Sequence, residues 1–135
     1  RRMIGLADVR DWLKGFAGAE NYYIGTLDSK KPKSLGVYQR KPSGEAHIAI
    51  GGLDCTSYDI KQLSLLLHWN KNARETEEKA AQLFRQLQQA EDVTIGGTRV
   101  YYIRLMVPEP VDVGPDDAGV YERVIWLDLI YERSN

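Results

Sequence analysis

Cysteine is almost absent from this sequence, because Cys55 is the only one among its 135 residues. A single cysteine cannot form an internal disulfide, and Cys55 is not part of a cluster of metal-binding residues. That pattern indicates a reducing compartment, or a particle that is assembled in one. A catalytic thiol is not favoured either, because no basic residue adjoins Cys55 to activate it.

The sequence also lacks an excess of charge of one sign. It has 18 basic and 19 acidic side chains, which give a formal net charge of −1. A nucleic-acid-binding domain usually carries a clear basic excess, because neutralised phosphates supply most of its affinity. The composition therefore predicts no specific binding to nucleic acid.

Long apolar segments are missing as well. No run of about 18 apolar residues is present and the first residues show no signal-peptide pattern, so neither membrane insertion nor secretion is predicted. With 43% hydrophobic and 27% charged residues, the composition is that of a globular protein. The length predicts a single domain over residues 1–135, large enough to fold without a disulfide or metal.

Hydrophobic periodicity changes abruptly near the middle of the chain. Over residues 63–69 the apolar side chains recur at every second position, which is typical of one face of a strand. Over residues 80–87 they recur at helical spacing. Asn72, with Glu75 three residues later, resembles a helix N-cap pair. We therefore expect a long strand that turns directly into an amphipathic helix over residues 73–90.

Similar patterns predict a first helix near residues 4–17 and further strands on both sides of the second helix. This order predicts an α+β fold with one mixed or mainly antiparallel sheet of about five to six strands and two helices packed mostly on one face. The strands are expected at 22–27, 35–40, 46–50, 58–69, 99–107 and 120–131, and loops at 28–34, 41–45, 51–57 and 108–119. The expected core comprises Leu13, Phe16, Leu65, Leu67, Ala80, Leu83, Phe84, Leu87, Ile103, Leu105, Leu127 and Leu129.

The acidic loop at 108–119 offers oxygen ligands for a cation in Asp112, Asp116 and Asp117. Their spacing does not match an EF-hand, which has alternating acidic positions, a central glycine and a closing glutamate. A solvated turn is therefore favoured over a metal site, and no metal or cofactor is predicted.

Catalytic chemistry is not predicted. The segment His68–Asn72 superficially resembles a nuclease motif, but the only other histidine is His47 and no acid, base and nucleophile are grouped in the sequence. A hydrogen-bonded histidine at the end of a strand is the favoured interpretation of His68. The protein is accordingly not expected to be an enzyme.

Several short segments follow one another from near the start of the chain to near its end. They are Trp12–Lys14, Tyr22–Gly25 with Leu27–Asp28, Ser34–Tyr38, Ile50–Gly52, Leu67–Asn72, Glu75–Glu77, Val111–Gly114 and Gly119–Arg123. Taken together, they resemble the minor capsid proteins of tailed bacteriophages and related prophages, and within these the tail-terminator-like proteins of head–tail joining. The resemblance covers nearly the whole chain.

This resemblance implies a structural protein of the virion. Tail terminators form a ring, commonly a hexamer, at the head-proximal end of the tail, where the ring stops polymerisation of the tube and presents a surface to the head. The implied partners are other copies of the chain, the tail tube protein and the head connector protein. The implied location is the tail or neck of the virion, after assembly in the bacterial cytoplasm. A small-molecule or peptide-binding α+β domain is the alternative.

If a ring forms, its contacts are expected on loops and strand edges, because the apolar stripes are committed to the core. A basic turn of one subunit would then meet the acidic loop of its neighbour, head to tail. Reversing the charges of Asp116 and Asp117 together is expected to block ring formation and to leave thermal stability nearly unchanged. The candidate assembly contacts are Lys30, Lys31, Lys33, Asp112, Asp116 and Asp117.

Overall fold

The structure is a computed structural model that describes residues 3–41 and 58–133. These residues form two helices and seven strands, which confirms the predicted α+β class. In chain order the elements are α1 (Leu6–Lys14), β1 (Asn21–Ile24), β2 (Ser34–Gln39), β3 (Tyr58–His68), α2 (Ala73–Gln89), β4 (Glu91–Ile95), β5 (Thr98–Leu105), β6 (Val111–Pro115) and β7 (Tyr121–Glu132). Among the described residues, no helix has the length and apolar character needed to cross a membrane.

All seven strands belong to one sheet with the order β1-β2-β3-β7-β5-β4, and β6 pairs with β7 outside this path. β1 and β2 are parallel while the other pairs are antiparallel, so the sheet is mixed as expected. β7 is the central strand. It pairs with β3 along its whole length, with β6 near its start and with β5 near its end. Side chains from three other strands therefore meet along β7.

The core forms where alternate residues of β3 and β7 meet the helices. Leu63 and Leu65 of β3 are buried opposite Leu127 and Ile125 of β7. The buried stripes of α1 and α2 belong to the same hydrophobic cluster as these strand residues. All twelve predicted core residues are buried in this cluster or, as Phe16, Ile103 and Leu105 are, packed against it. Packing of both helices mostly on one face of the sheet stays a prediction.

The predicted start of α2 is confirmed. Asn72 Oδ1 accepts the backbone N–H of Glu75 at 3.0 Å, which satisfies one of the free donors in the first turn. The Glu75 carboxylate does not close a reciprocal bond to the cap backbone, because it accepts instead from the Asn70 side chain at 3.2 Å. α1 ends at Lys14, with Gly15 as its C-cap, and is shorter than predicted.

Two strands, β4 and β6, were not predicted from the sequence. β6 lies within the supposed loop at 108–119, whose prolines favour irregular structure. β4 follows α2 almost at once, and its second residue, Asp92, has a φ of 52° and is skipped in the pairing with β5. Both strands have only five residues, with two apolar side chains at alternate positions in each, Val93 with Ile95 and Val111 with Val113, which is a weak periodic signal. The strand expected at 46–50 and the loop expected at 51–57 lie outside the described residues.

Candidate assembly surface and the His68 cluster

Three side chains from separate elements meet at the end of β3, and we call them the His68 cluster: His68, Asp116 and Glu122. His68 ends β3 and is the register partner of Glu122 on β7, so strand pairing places the two side by side. Asp116 lies in the turn between β6 and β7. Its Oδ1 accepts the backbone N–H groups of Ala118 at 2.9 Å and Val120 at 3.0 Å, which fixes its carboxylate in place.

His68 is completely buried and contacts groups on both sides of its ring. Nδ1 lies 2.8 Å from Glu122 Oε2 and 3.8 Å from Asp116 Oδ2, and Nε2 lies 2.9 Å from the carbonyl oxygen of Ser29. Ser29 belongs to the connection between β1 and β2. One imidazole therefore links this connection to the β6–β7 turn, and His68 is hydrogen-bonded at a strand end as the sequence indicated.

The electrostatics of the His68 cluster are unbalanced. The Ser29 carbonyl can only accept, so Nε2 carries a hydrogen and donates it. The Val120 N–H, and with it the Ala118 N–H, holds the pKa of the Asp116 carboxyl below its usual range. Nδ1 therefore faces two carboxyl groups, that of Glu122 at 2.8 Å and that of Asp116 at 3.8 Å, and the Asp116 carboxyl is ionised at neutral pH.

The predicted basic turn and the predicted acidic loop lie at the same end of the protein. Ser29, which precedes Lys30, contacts one side of the His68 ring, and Asp116 lies near the other side. Lys33 is held nearby, because its backbone N–H donates to the carbonyl of Trp69, the residue after His68, at 2.6 Å. The two loops are thus neighbours within one subunit.

The six predicted contact residues differ in how free their side chains are. Lys30, Lys31 and Asp117 are exposed, and none of them has a side-chain partner among the described residues. Lys33 has a loose ion pair with Glu20 at 3.8 Å. Asp112 has one with Arg123 at 3.9 Å, and its Oδ1 also accepts the backbone N–H of Gly114 at 2.8 Å.

Asp116 is tied most closely to its own turn, because it accepts two backbone N–H groups, those of Ala118 and Val120, whereas Asp112 accepts one. A lysine at position 116 would remove these hydrogen bonds. Reversing the charge of Asp117 is therefore still expected to leave thermal stability unchanged, whereas reversing that of Asp116 is expected to lower it.

A fully buried carboxylate, that of Asp128, lies further along β7, and its side chain is 2% exposed. Its Oδ1 lies 2.8 Å from Arg40 and its Oδ2 lies 2.9 Å from Arg104. Arg40 also donates to one main-chain carbonyl of β3 and one of β7, both at 3.2 Å, and its guanidinium lies 5.6 Å from the centroid of the Trp126 ring. We call Asp128, Arg40 and Arg104 the Asp128 cluster. The Asp128 cluster was not predicted from the sequence, although an acidic residue within an apolar strand was a signal for it.

Large apolar side chains remain exposed beside the Asp128 cluster. Tyr102, Met106, Val111 and Trp126 are each 44–50% exposed, and we call these four the exposed apolar face. Trp126 on β7 and Tyr102 on β5 alternate with residues that lie in or pack against the core. Val111 of β6 is paired with Val124 of β7, and Met106 follows β5 and donates its backbone N–H to the Trp126 carbonyl, so both lie close to Trp126. Exposed apolar groups of this size commonly mark surfaces that bind other proteins.

Comparison with known proteins identifies the family. A family model described as bacteriophage tail terminator protein matches residues 3–133. The chain belongs to the bacteriophage tail terminator family. The resemblance drawn from the sequence is thereby confirmed, and the protein is a structural component of a phage tail, in a family that is typically non-enzymatic. Family membership also implies that it contacts other phage tail or head proteins. No curated protein matches the chain.

Proposed function

We propose that this tail terminator family member forms a ring of identical subunits, expected to be a hexamer, at the head-proximal end of the phage tail. The ring ends polymerisation of the tail tube protein and joins the tail to the head connector protein in the neck of the virion. The observation that carries the proposal is the family match over residues 3–133. Membership of the family does not by itself specify the ring, its partners or its position in the tail. The surface of the subunit supports these three parts of the proposal.

The exposed apolar face supports a large contact with another protein. Trp126 lies on the central strand, and Arg40 packs against its ring, which limits its motion. Tryptophan and arginine are frequent among the residues that dominate binding energy at protein interfaces. A ring needs a heterologous contact on each subunit, in which two different surfaces meet. The exposed apolar face is suited to be one of them.

The charged loops are suited to select and orient the neighbour. Lys30, Lys31 and Lys33 are proposed to meet Asp112 and Asp117 of the adjacent subunit, while Asp116 holds the turn that presents Asp117. The basic turn and the acidic loop lie at the same end of the subunit. This end is therefore proposed to lie beside the contact between neighbouring subunits. Exposed ion pairs contribute only about 0–1 kcal/mol each, and salt screens them.

The charge balance is compatible with a ring through which DNA passes. A formal net charge of −1 provides no general attraction for phosphates, so DNA would slide without being held. The proposal therefore includes no specific binding to nucleic acid.

Light scattering coupled to size-exclusion chromatography, with negative-stain imaging, tests the ring over a concentration series with and without tail tube protein. Rings of one size are expected, at least when tube protein is present. Replacing Trp126 and Met106 together by serine should abolish them, whereas Met3→Ser, which changes an exposed apolar side chain outside the sheet, serves as a control and should leave the rings intact. A strict monomer in every mixture would contradict the proposal, and a monomer that binds a small molecule or peptide would favour the alternative.

Deleting the gene from the phage or prophage that encodes the protein tests the role in the tail. Tails of abnormal length that fail to join heads are expected, with normal tails restored by wild-type protein supplied from a plasmid. Normal, infectious particles without the gene would contradict the proposal.

A further inference from the structure

The His68 cluster has the composition of a metal site. One imidazole nitrogen and two carboxylate oxygens all lie within 4.8 Å of one another. This donor set is typical of Zn²⁺ and related divalent transition metals, which combine imidazole with carboxylate ligands. His68 and Glu122 come from paired strands and Asp116 from a turn held by backbone hydrogen bonds, so all three are positioned by the fold.

His68 is oriented as a metal ligand normally is. In metal sites the second ring nitrogen of a histidine usually donates to a carboxylate or a backbone carbonyl, which fixes the tautomer. Here Nε2 donates to the carbonyl of Ser29. In the neutral imidazole this leaves the lone pair of Nδ1 directed at Glu122 and Asp116.

The geometry suits an ion better than a single hydrogen. A hydrogen on Nδ1 can bond to Glu122 Oε2 at 2.8 Å but does not reach Asp116 Oδ2 at 3.8 Å. The one arginine of β7, Arg123, is directed at other carboxylates, 3.3 Å from Glu77 and 3.9 Å from Asp112. A divalent cation placed among Nδ1 and the two carboxylates would contact all three groups at once.

We propose that His68, Asp116 and Glu122 bind one divalent transition-metal ion of the zinc class. Ligand atoms that share such an ion lie about 2.0–2.2 Å from it, so the observed 2.8 and 3.8 Å between ligand atoms need only small side-chain adjustments. The Asp116 and Glu122 side chains are 19% and 21% exposed, which leaves a route from solvent to the ion. The bound ion joins the β6–β7 turn to the end of β3, whose histidine already holds the β1–β2 connection.

Metal binding is measured on the wild-type protein, first stripped with a chelator. Isothermal titration with Zn²⁺ is expected to show one site per chain, and Co²⁺ is expected to give visible absorption bands. Zn²⁺ should raise the melting temperature and excess chelator should reverse the change. These measurements use the isolated protein, so their outcome does not depend on ring formation.

Variants assign the ion to the cluster. His68→Asn and Glu122→Gln should each weaken Zn²⁺ binding by about 100-fold or more, judged on variants whose circular dichroism shows a folded protein. Asp117→Asn, a neighbouring acid outside the cluster, and His47→Gln, which removes the other histidine, should bind as wild type does. If a variant does not fold, the reversible effect of Zn²⁺ on the melting temperature of the wild type and the Co²⁺ spectrum decide whether the protein binds a metal.

The proposal is overturned if wild-type protein binds Zn²⁺ no more tightly than millimolar, or if the His68 and Glu122 variants bind it equally well. Nitrogen-detected magnetic resonance gives an independent answer. Hydrogens on both ring nitrogens of His68 in the presence of equimolar Zn²⁺ would show that a proton, and no metal, lies between the imidazole and the carboxylates.

Discussion

β7 contributes one carboxylate to each of two clusters, Glu122 to the His68 cluster near its start and Asp128 to the Asp128 cluster further along, and the two clusters differ in their ratio of acidic to basic groups. In the Asp128 cluster one carboxylate meets two guanidinium groups, and each of its oxygens has its own arginine within 2.9 Å. In the His68 cluster two carboxylates face a single imidazole nitrogen. In the first cluster each carboxylate oxygen has a cationic partner within the protein, whereas in the second the carboxylates outnumber the basic group, as the proposed metal site requires.

This difference matches the surroundings of the two clusters. Asp128 lies on a strand that is paired on both sides, and Arg40 binds its carboxylate and the backbone of both β3 and β7. In the His68 cluster, His68 and Glu122 lie where β3 ends and β7 begins, beside two loops, and the Asp116 and Glu122 side chains are about one fifth exposed. The Asp128 cluster thus bonds the backbone of two strands, whereas the His68 cluster can be reached from solvent.

The largest effect is expected from Asp128→Asn. The substitution keeps the size of the side chain but leaves Arg40, whose side chain is only 15% exposed, without its counter-charge. The free energy of unfolding should fall by about 3–5 kcal/mol, the usual cost of breaking a buried ion pair. Urea denaturation measures it.

Arg104→Met is the matched control for that substitution. The Arg104 side chain is 49% exposed, so solvent screens its ion pair with Asp128. The free energy of unfolding is therefore expected to fall by about 1 kcal/mol or less. Equal losses for the two variants would show that Asp128 and Arg40 are not the dominant pair.

A smaller loss is expected from His68→Asn in metal-free protein. The shorter side chain cannot reach both Glu122 and the Ser29 carbonyl, so buried hydrogen bonds are lost. The cost should be about 1–3 kcal/mol by urea denaturation in the presence of chelator. A loss larger than that of Asp128→Asn would mean that the His68 cluster is complete without a metal, and would reverse the comparison.

The sequence predicted the parts of this fold that local patterns specify. Asn72 and the stripe over residues 80–87 located α2, because a cap and a 3.6-residue period are readable within a few turns. Edge strands β4 and β6 were missed because their residues satisfy turn preferences as well as strand preferences.

The two clusters could not be derived in the same way. His68 and Glu122 are 54 positions apart, and they meet only in the observed register of β3 with β7. A shift of one residue would move every side chain of a strand to the other face. Predicting two strands correctly therefore did not predict which of their polar residues touch. The family resemblance, by contrast, rested on segments spread along the chain and did not need the register.

A smaller, local effect is expected when Asp116→Asn is compared with Asp117→Asn. The first change weakens an acceptor that binds two backbone N–H groups, while the second alters an exposed side chain with no partner among the described residues. Melting should therefore shift downward for Asp116→Asn and stay at the wild-type temperature for Asp117→Asn. Differential scanning calorimetry in chelator measures both, and identical curves would show that the β6–β7 turn does not depend on Asp116.

The smallest effect on folding, with a measurable effect on assembly, is expected from reversing the charge of the basic turn or of the acidic loop. Lys30→Glu with Lys31→Glu, and separately Asp117→Lys, should leave urea denaturation unchanged because these side chains are exposed. Each change should weaken rings, and more so at low salt, where the proposed contacts are least screened.

Combining the two sets of substitutions in one chain tests whether the basic turn and the acidic loop contact each other between subunits. If the lysines of one subunit meet Asp117 of the next, the combined variant restores the opposite charges and should recover part of the lost assembly. The recovery should be about 0–1 kcal/mol per contact, as for other exposed ion pairs. Rings unaffected by either set at low salt would remove these loops from the interface. Weakened rings without recovery would show that the loops face the tail tube or head connector instead, since a contact with a different protein cannot be repaired within this chain.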